Sequence, residues 1–204
     1  MAIFPVHMAE FSEILALPGF LASPFLEIGC QSIGISDNPE YQFPTLSDLL
    51  RARGITELDE LDPFDANANL QWNLNYPVPI ESHEKYATVL DIGCVEHIFD
   101  TRAVFENCLR MVKVGGLYAV HTPVSGHVDH GLHTFHSELV PRLFEANNFE
   151  PVYQKYMLQT GKSYAPPPGD GPYGGNADGF IWAVGRKTKP LETLIIPEQA
   201  RYSP

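Results

Sequence analysis

Residues 88 to 123 constrain the fold of this chain more than any other stretch. Thr88 to Ile92 is an apolar, β-type run that ends in a polar, glycine-containing turn carrying Glu96 and His97. A helical pattern follows, with Val104, Phe105, Cys108, Leu109 and Val112 on one face. Lys113 and the Gly115-Gly116 pair are the stop signal, and a second apolar run, Leu117 to Val120, leads into His121-Thr122-Pro123. This order predicts a strand, a right-handed crossover helix and a parallel strand. Open α/β sheets bind ligands outside the carboxyl ends of their strands. Asp91, Glu96, His97 and His121 stand at those ends.

The rest of the chain repeats the alternation. Met8 to Leu17 predicts a short amphipathic helix ended by Pro18-Gly19, and Pro24 to Gly29 a short strand interrupted by Glu27. Cys30 to Tyr41 is loop-like. Thr45-Leu46-Ser47-Asp48 is a capping pattern for a helix that ends at Gly54. Ile55 to Leu61 alternates with period two, as a strand does. Pro63 to Pro79 reads as a loop, with Leu70, Trp72 and Leu74 hinting at a short strand. A helix over Glu138 to Ala146 and strands over Phe149 to Leu158 and Phe180 to Val184 complete the pattern. Residues 161–175 are too rich in glycine and proline for regular structure and suggest a binding loop or a plain connection. The expected fold is a single α/β domain over residues 1–187 with a mostly parallel sheet and an antiparallel C-terminal strand. Residues 188–204 read as a tail or an interface arm, which leaves room for a homo-oligomer.

Charge narrows the function. With 25 acidic against 13 basic residues the formal net charge is −12. A nucleic-acid surface needs clustered Lys and Arg, so no nucleic-acid partner is expected, and an anionic membrane is disfavoured for the same reason. The N-terminal residues show no basic segment followed by an apolar core, so no signal peptide is expected. Cys30, Cys94 and Cys108 are odd in number and far apart, which fits reduced thiols in the cytoplasm.

Several motifs, in order, resemble the class I S-adenosylmethionine-dependent methyltransferases. Phe25-Leu26-Glu27-Ile28-Gly29 is similar to that family's first strand and acid-x-Gly signature. Thr88 to Ile98 is similar to its fourth strand and following turn, here Val95-Glu96-His97. Arg110 to Gly116 (RMVKVGG) resembles its Arg-x-Leu-Lys-Pro-Gly-Gly, with Val114 in place of the proline. Phe144 to Phe149 (FEANNF) resembles a later helix end. The resemblance covers roughly residues 22 to 187. It departs at the glycine loop, where Gln31 and Ile33 replace two glycines and Gly34 remains as a flexible position. Ala87 stands where an acid is usual before the fourth strand.

The resemblance implies a Rossmann-like fold, S-adenosylmethionine as cofactor and methyl transfer to a small-molecule acceptor. It places Gly29, Cys30 and Gln31 against the methionine part of the cofactor, with Glu27 orienting the loop. An acid at the end of the second strand is expected on the ribose hydroxyls; Asp59 is the first choice and Asp62 the second. A carboxylate suits a diol because both oxygens accept hydrogen bonds. Asn73 or Trp72 is expected at the adenine and Asp91 near the sulfonium. Methyl transfer needs acceptor and methyl held in line and a group to take a proton. His97 and His121 are the candidate bases; Glu96 is either part of that machinery or a brace for the turn.

Histidine density is the second unusual feature. Five of the 8 histidines are His121, His127, His130, His133 and His136. His127, His130 and His133 could bind a divalent metal, since neutral imidazoles are common ligands. They fit equally a substrate loop with hydrogen-bonded or solvated histidines. A methyltransferase-like fold without methyl transfer, serving as a metal-dependent enzyme or a scaffold, is the alternative reading.

Overall fold

The central strands are buried along their length, and successive side chains enter two different apolar layers. In the strand of residues 86–92, Val89 joins one core and Leu90 and Ile92 the other. Leu117 and Ala119 face one way, Tyr118 and Val120 the other; Trp182 and Val184 oppose Ile181 and Ala183 in the same manner. A strand buried on both faces needs helices on both sides. The computed structural model describes residues 2–3, 8–34, 42–158, 163–164, 178–199 and 202.

In chain order the elements are β1 (Ala2–Ile3), α1 (Met8–Leu15), β2 (Phe25–Ile28), β3 (Ser32–Ile33), α2 (Leu46–Ala52) and β4 (Leu58–Leu61). There follow β5 (Tyr86–Ile92), α3 (Thr101–Met111), β6 (Val112–Ser125), α4 (Leu139–Ala146), β7 (Phe149–Leu158), β8 (Ser163–Tyr164) and β9 (Gly179–Lys187). The main sheet has the order β4-β2-β5-β6-β9-β7-β8. β4, β2, β5 and β6 are parallel; β9 runs antiparallel between β6 and β7. A small second sheet pairs β1 with β3 in parallel. The expected single α/β domain with an antiparallel C-terminal strand is the fold observed.

α1 and α2 cover one face through Phe11, Ile14, Leu46, Leu49 and Leu50. α3 and α4 cover the other through Val104, Phe105, Leu109, Val140, Leu143 and Phe144. Thr45 caps α2 as its sequence predicts, its hydroxyl accepting from Asp48 N at 3.1 Å. Asp100 caps α3 in the same way through Ala103 N.

Three local expectations are corrected. Helix α3 ends at Met111, before the Lys113 and Gly115-Gly116 stop, and β6 begins at once with Val112. The reason is a buried ammonium from a distant strand. Lys187 Nζ donates to Leu109 O at 2.9 Å and Val112 O at 2.8 Å and pairs with Glu84 at 3.0 Å. It takes the carbonyls that the helix end leaves free. Second, the stretch around Leu70 forms only an isolated bridge to Leu61. Third, residues 188–199 pack on the domain and do not extend from it as an arm. Leu191 and Leu194 are buried in the α3/α4 core, and Asn147 exchanges hydrogen bonds with Ile195. No helix among the described residues is long and apolar enough to cross a membrane.

Candidate functional site

β2, β4 and β5 all end on the same edge of the sheet, and the chain leaves each through a short turn there. A cavity of about 410 Å³ opens at that edge. Gly29, after β2, Asp62, after β4, and Cys94 and His97, after β5, are on its wall. Leu61, Phe64, Trp72, Leu74 and Ile98 make it largely apolar, and Asn73 and Asn75 add polar points. Its size and lining suit an organic ligand of moderate size.

The turn after β2 depends on glycine. Gly29 has φ +78°, and a Cβ there would lie 2.5 Å from Cys94 Sγ. Glu27, almost wholly buried, fixes the next residues. Its Oε1 accepts from Gln31 N at 2.9 Å and its Oε2 from Ser47 Oγ at 2.7 Å. Burial outweighs those two hydrogen bonds and pushes the Glu27 carboxyl up to about 7. The side chains that replace the usual glycines leave the cavity open. Gln31 turns inward, its Nε2 donating to Ile92 O at 3.0 Å. Ile33 packs against the α1/α2 core. Gln31 Oε1 is buried without a hydrogen-bond partner among the described residues.

Asp59 is not on the cavity wall, contrary to expectation. It lies within β4, opposite Leu26, and is held by Lys85 Nζ at 2.7 Å, Tyr86 Oη at 2.7 Å and Asn69 Nδ2 at 2.6 Å. Burial pushes its carboxyl up, but those donors outweigh it and hold it below the usual range. Asp62 occupies the strand end instead. Its Oδ2 accepts from Cys30 N at 3.3 Å and its Oδ1 from Phe64 N at 2.9 Å, so the carboxylate is oriented by backbone. β4 ends at Leu61, where its period-two pattern also ends, so Asp62 is the first residue past the strand and Asp59 stands inside it.

Glu27, Cys30 and Gln31 support the turn from behind the wall, and Asp91 does the same for β5. Asp91 is fully buried, and its Oδ1 accepts from Cys94 N at 3.0 Å. Burial, with the nearby Glu96 charge, pushes its carboxyl up to about 8. It braces the turn and does not reach the cavity. His121 is also inside the protein, with its ring centroid 4.7 Å from those of Phe180 and Trp182. Of the two expected bases, only His97 is on the wall.

Glu96 and His97 sit in a single turn of 3₁₀-helix after β5. Glu96 is 1% exposed. Its Oε2 accepts from Thr122 Oγ1 at 3.1 Å, and burial pushes its carboxyl up to about 7. The loop after β6 folds back over this turn. His133 N donates to Glu96 O at 3.0 Å, and a Cβ on Gly131 would be 2.9 Å from the same oxygen, so a glycine allows the approach. His130 thereby meets the pair: its Nε2 is 3.7 Å from Glu96 Oε1, and its ring is 5.0 Å from that of His97. The expected trio of His127, His130 and His133 does not converge. His133 Nε2 instead contacts Phe99 O at 3.2 Å, and the His127 ring lies 5.5 Å from His130 and 4.2 Å from Phe180. The grouping of Glu96 with His130 joins two loops far apart in sequence and could not be read from spacing.

No family model matches this chain. It resembles a solved S-adenosylmethionine-dependent methyltransferase from Archaeoglobus fulgidus, with a TM-score of 0.55 at 14% identity over 89% of this chain and 94% of that one. The chain has the class I methyltransferase fold. A Burkholderia thailandensis 1,6-didemethyltoxoflavin-N1-methyltransferase, solved with bound 1,6-didemethyltoxoflavin and S-adenosylhomocysteine, gives a TM-score of 0.51 at 12% identity, covering 81% of this chain and 71% of that one. In sequence, the chain is 25% identical over 104 residues to the ubiquinone biosynthesis O-methyltransferase of Nitrobacter winogradskyi. That match takes in 51% of this chain but spans only about a third of the length of its relative, 34%. The methyltransferase fold places the cavity at the edge where α/β sheets receive their ligands.

Proposed function

We propose that this chain transfers a methyl group from S-adenosylmethionine to a small-molecule acceptor. The observation that carries the reading is the cavity at the ends of β2, β4 and β5, open beside a turn that only glycine can make. In this reading the Gly29 backbone lies against the methionine part of the cofactor, and Gln31 supports that turn from behind. Asp62 offers the ribose diol a carboxylate already oriented by backbone N–H groups. Trp72, Leu74 and Ile98 supply apolar walls for the base, with Asn73 as a polar contact. The cofactor supplies an electrophilic methyl on a sulfonium; the protein's part is to exclude water and hold the acceptor in line.

His97 defines the acceptor end. Burial holds its imidazole below the usual histidine range, so it is neutral near pH 7 with a lone pair free to bind a proton or a cation. The small-molecule methyltransferases among the similar proteins support an acceptor of that size.

The test is thermal unfolding with S-adenosylhomocysteine. A ligand that binds only the native state raises Tm by mass action, by about 2.7 kcal/mol of added stability at a hundredfold excess over Kd. A concentration-dependent rise is expected. An unchanged Tm at millimolar ligand would remove the proposal.

A further inference from the structure

Glu96, His97 and His130 each offer one ligand atom, and the three atoms lie within 4.8 Å of one another. We propose that they form a binding site for a zinc-class divalent metal ion at the acceptor end of the cavity. The spacing favours an ion over a direct hydrogen bond. Glu96 Oε1 and His130 Nε2 stand 3.7 Å apart, beyond hydrogen-bond range. Two ligands of a tetrahedral zinc, each about 2.0–2.1 Å from the metal, are roughly 3.3 Å apart, so a small closure of the His130 loop completes the geometry.

The surroundings are built to hold these side chains. Thr122 Oγ1 holds Glu96 Oε2 and leaves Oε1 turned toward the histidines. A buried carboxylate without a cation is costly, and a metal ion is the compensation that buried charges commonly use. The loop carrying His130 is anchored at three points, His127 N on Asp178, His133 N on Glu96 O and Phe135 N on Pro123 O, and His130 N closes a turn on His127 O. His127 and Asp129 take φ of +52° and +63°, a conformation that side chains other than glycine rarely adopt. Strain of that kind persists where the surroundings hold it and where a site needs the geometry.

Two imidazoles and one carboxylate suit zinc, iron(II) or manganese better than magnesium or calcium, which prefer oxygen. Three protein ligands leave an open position, as sites that bind substrate do. With His97 on the cavity wall, that position faces the space assigned above to the acceptor. This part of the inference rests on the methyltransferase reading. An acceptor hydroxyl at the open position would release its proton to solvent water and present an oxyanion. His97 would then be a ligand and not the base.

The experiment is a zinc titration of chelator-treated protein by calorimetry, with magnesium as comparison. One zinc per chain is expected, with much weaker magnesium binding. His130→Ala, on an exposed loop, should weaken zinc at least tenfold while Tm of the metal-free protein stays put. Glu96→Gln should do the same, and if that variant does not fold, His130→Ala decides alone. His133→Ala should bind zinc like the parent. Absence of zinc binding, or equal binding by His130→Ala, would overturn the site. S-adenosylhomocysteine is titrated into the same metal-free protein. A protein that binds S-adenosylhomocysteine but takes up no zinc ends the metal proposal and leaves the methyltransferase reading standing; one that takes up zinc but binds no S-adenosylhomocysteine does the reverse.

Discussion

At the end of β2 the polar groups are paired across short distances. Gly29 N donates to Leu61 O at 2.7 Å, Gln31 N to Glu27, Cys30 N to Asp62 and Cys94 Sγ to Ile28 O at 3.0 Å. At the end of β5 the arrangement differs. Glu96 Oε1 faces His130 across 3.7 Å, with His97 close by on the cavity wall. The first region spends its hydrogen bonds on shape: it makes a rigid rim whose supporting side chains, Glu27 and Gln31, are buried behind the wall. The second leaves lone pairs pointing at a shared space. A preorganised rim and an unfilled donor set are two ways to bind, and they answer to different changes.

The largest effect is expected at the rim. Gly29→Val puts a side chain where a Cβ already collides with Cys94 and forces an L-residue into positive φ. It should abolish the S-adenosylhomocysteine shift and lower Tm, measured by thermal unfolding; a variant that still binds would show that the rim is not rigid. Next comes Glu27. Its carboxyl keeps its proton to about pH 7 in the folded chain and to about 4.5 unfolded. Between those values unfolding releases a proton, so this group's contribution is full below the lower value and lost as pH rises through the upper one. The loss amounts to about 3 kcal/mol at 1.36 kcal/mol per pH unit. Denaturant unfolding at pH 5 and pH 8 should show the fall, and Glu27→Gln should reduce it by that share, the buried Asp91 and Glu96 carboxyls contributing the remainder.

Smaller still, Asp62→Ala should weaken S-adenosylhomocysteine about tenfold, near 1.4 kcal/mol, because it removes one oriented carboxylate. Calorimetric titration measures it. Asp59→Ala is the counterpart outside the cavity. It should leave ligand affinity within about twofold and lower stability by about 1 kcal/mol or less, since its ion pair with Lys85 is partly exposed. A reversed order for these two aspartates would return the ribose role to Asp59.

Much of the architecture was legible. Apolar runs with period two, Thr45 as a helix cap and the strand–helix–strand over residues 88–123 led to the sheet and its helices. The site was legible only near turns. Gly29 and His97 could be chosen because each follows a recognisable strand end, whereas Asn73 rested on the resemblance alone. Asp59 against Asp62, and His121 against His97, could not be decided without knowing which side chains hold Asp59 and which way β6 presents its side chains. The notional histidine trio failed for a related reason: regular spacing in a loop does not fix direction, whereas Gly131 and the His133 N–H do.

The chain's own pattern determined the layers, since local periodicity dictates which side chains must be buried and hence how many faces need covering. Tertiary structure decided the rest through contacts between distant segments. Lys187 caps the end of α3, Lys85, Tyr86 and Asn69 hold Asp59 off the cavity wall, and His130 comes to Glu96 across a folded loop. Such contacts depend on distances that close only when the sheet is assembled, and no spacing along the sequence encodes them.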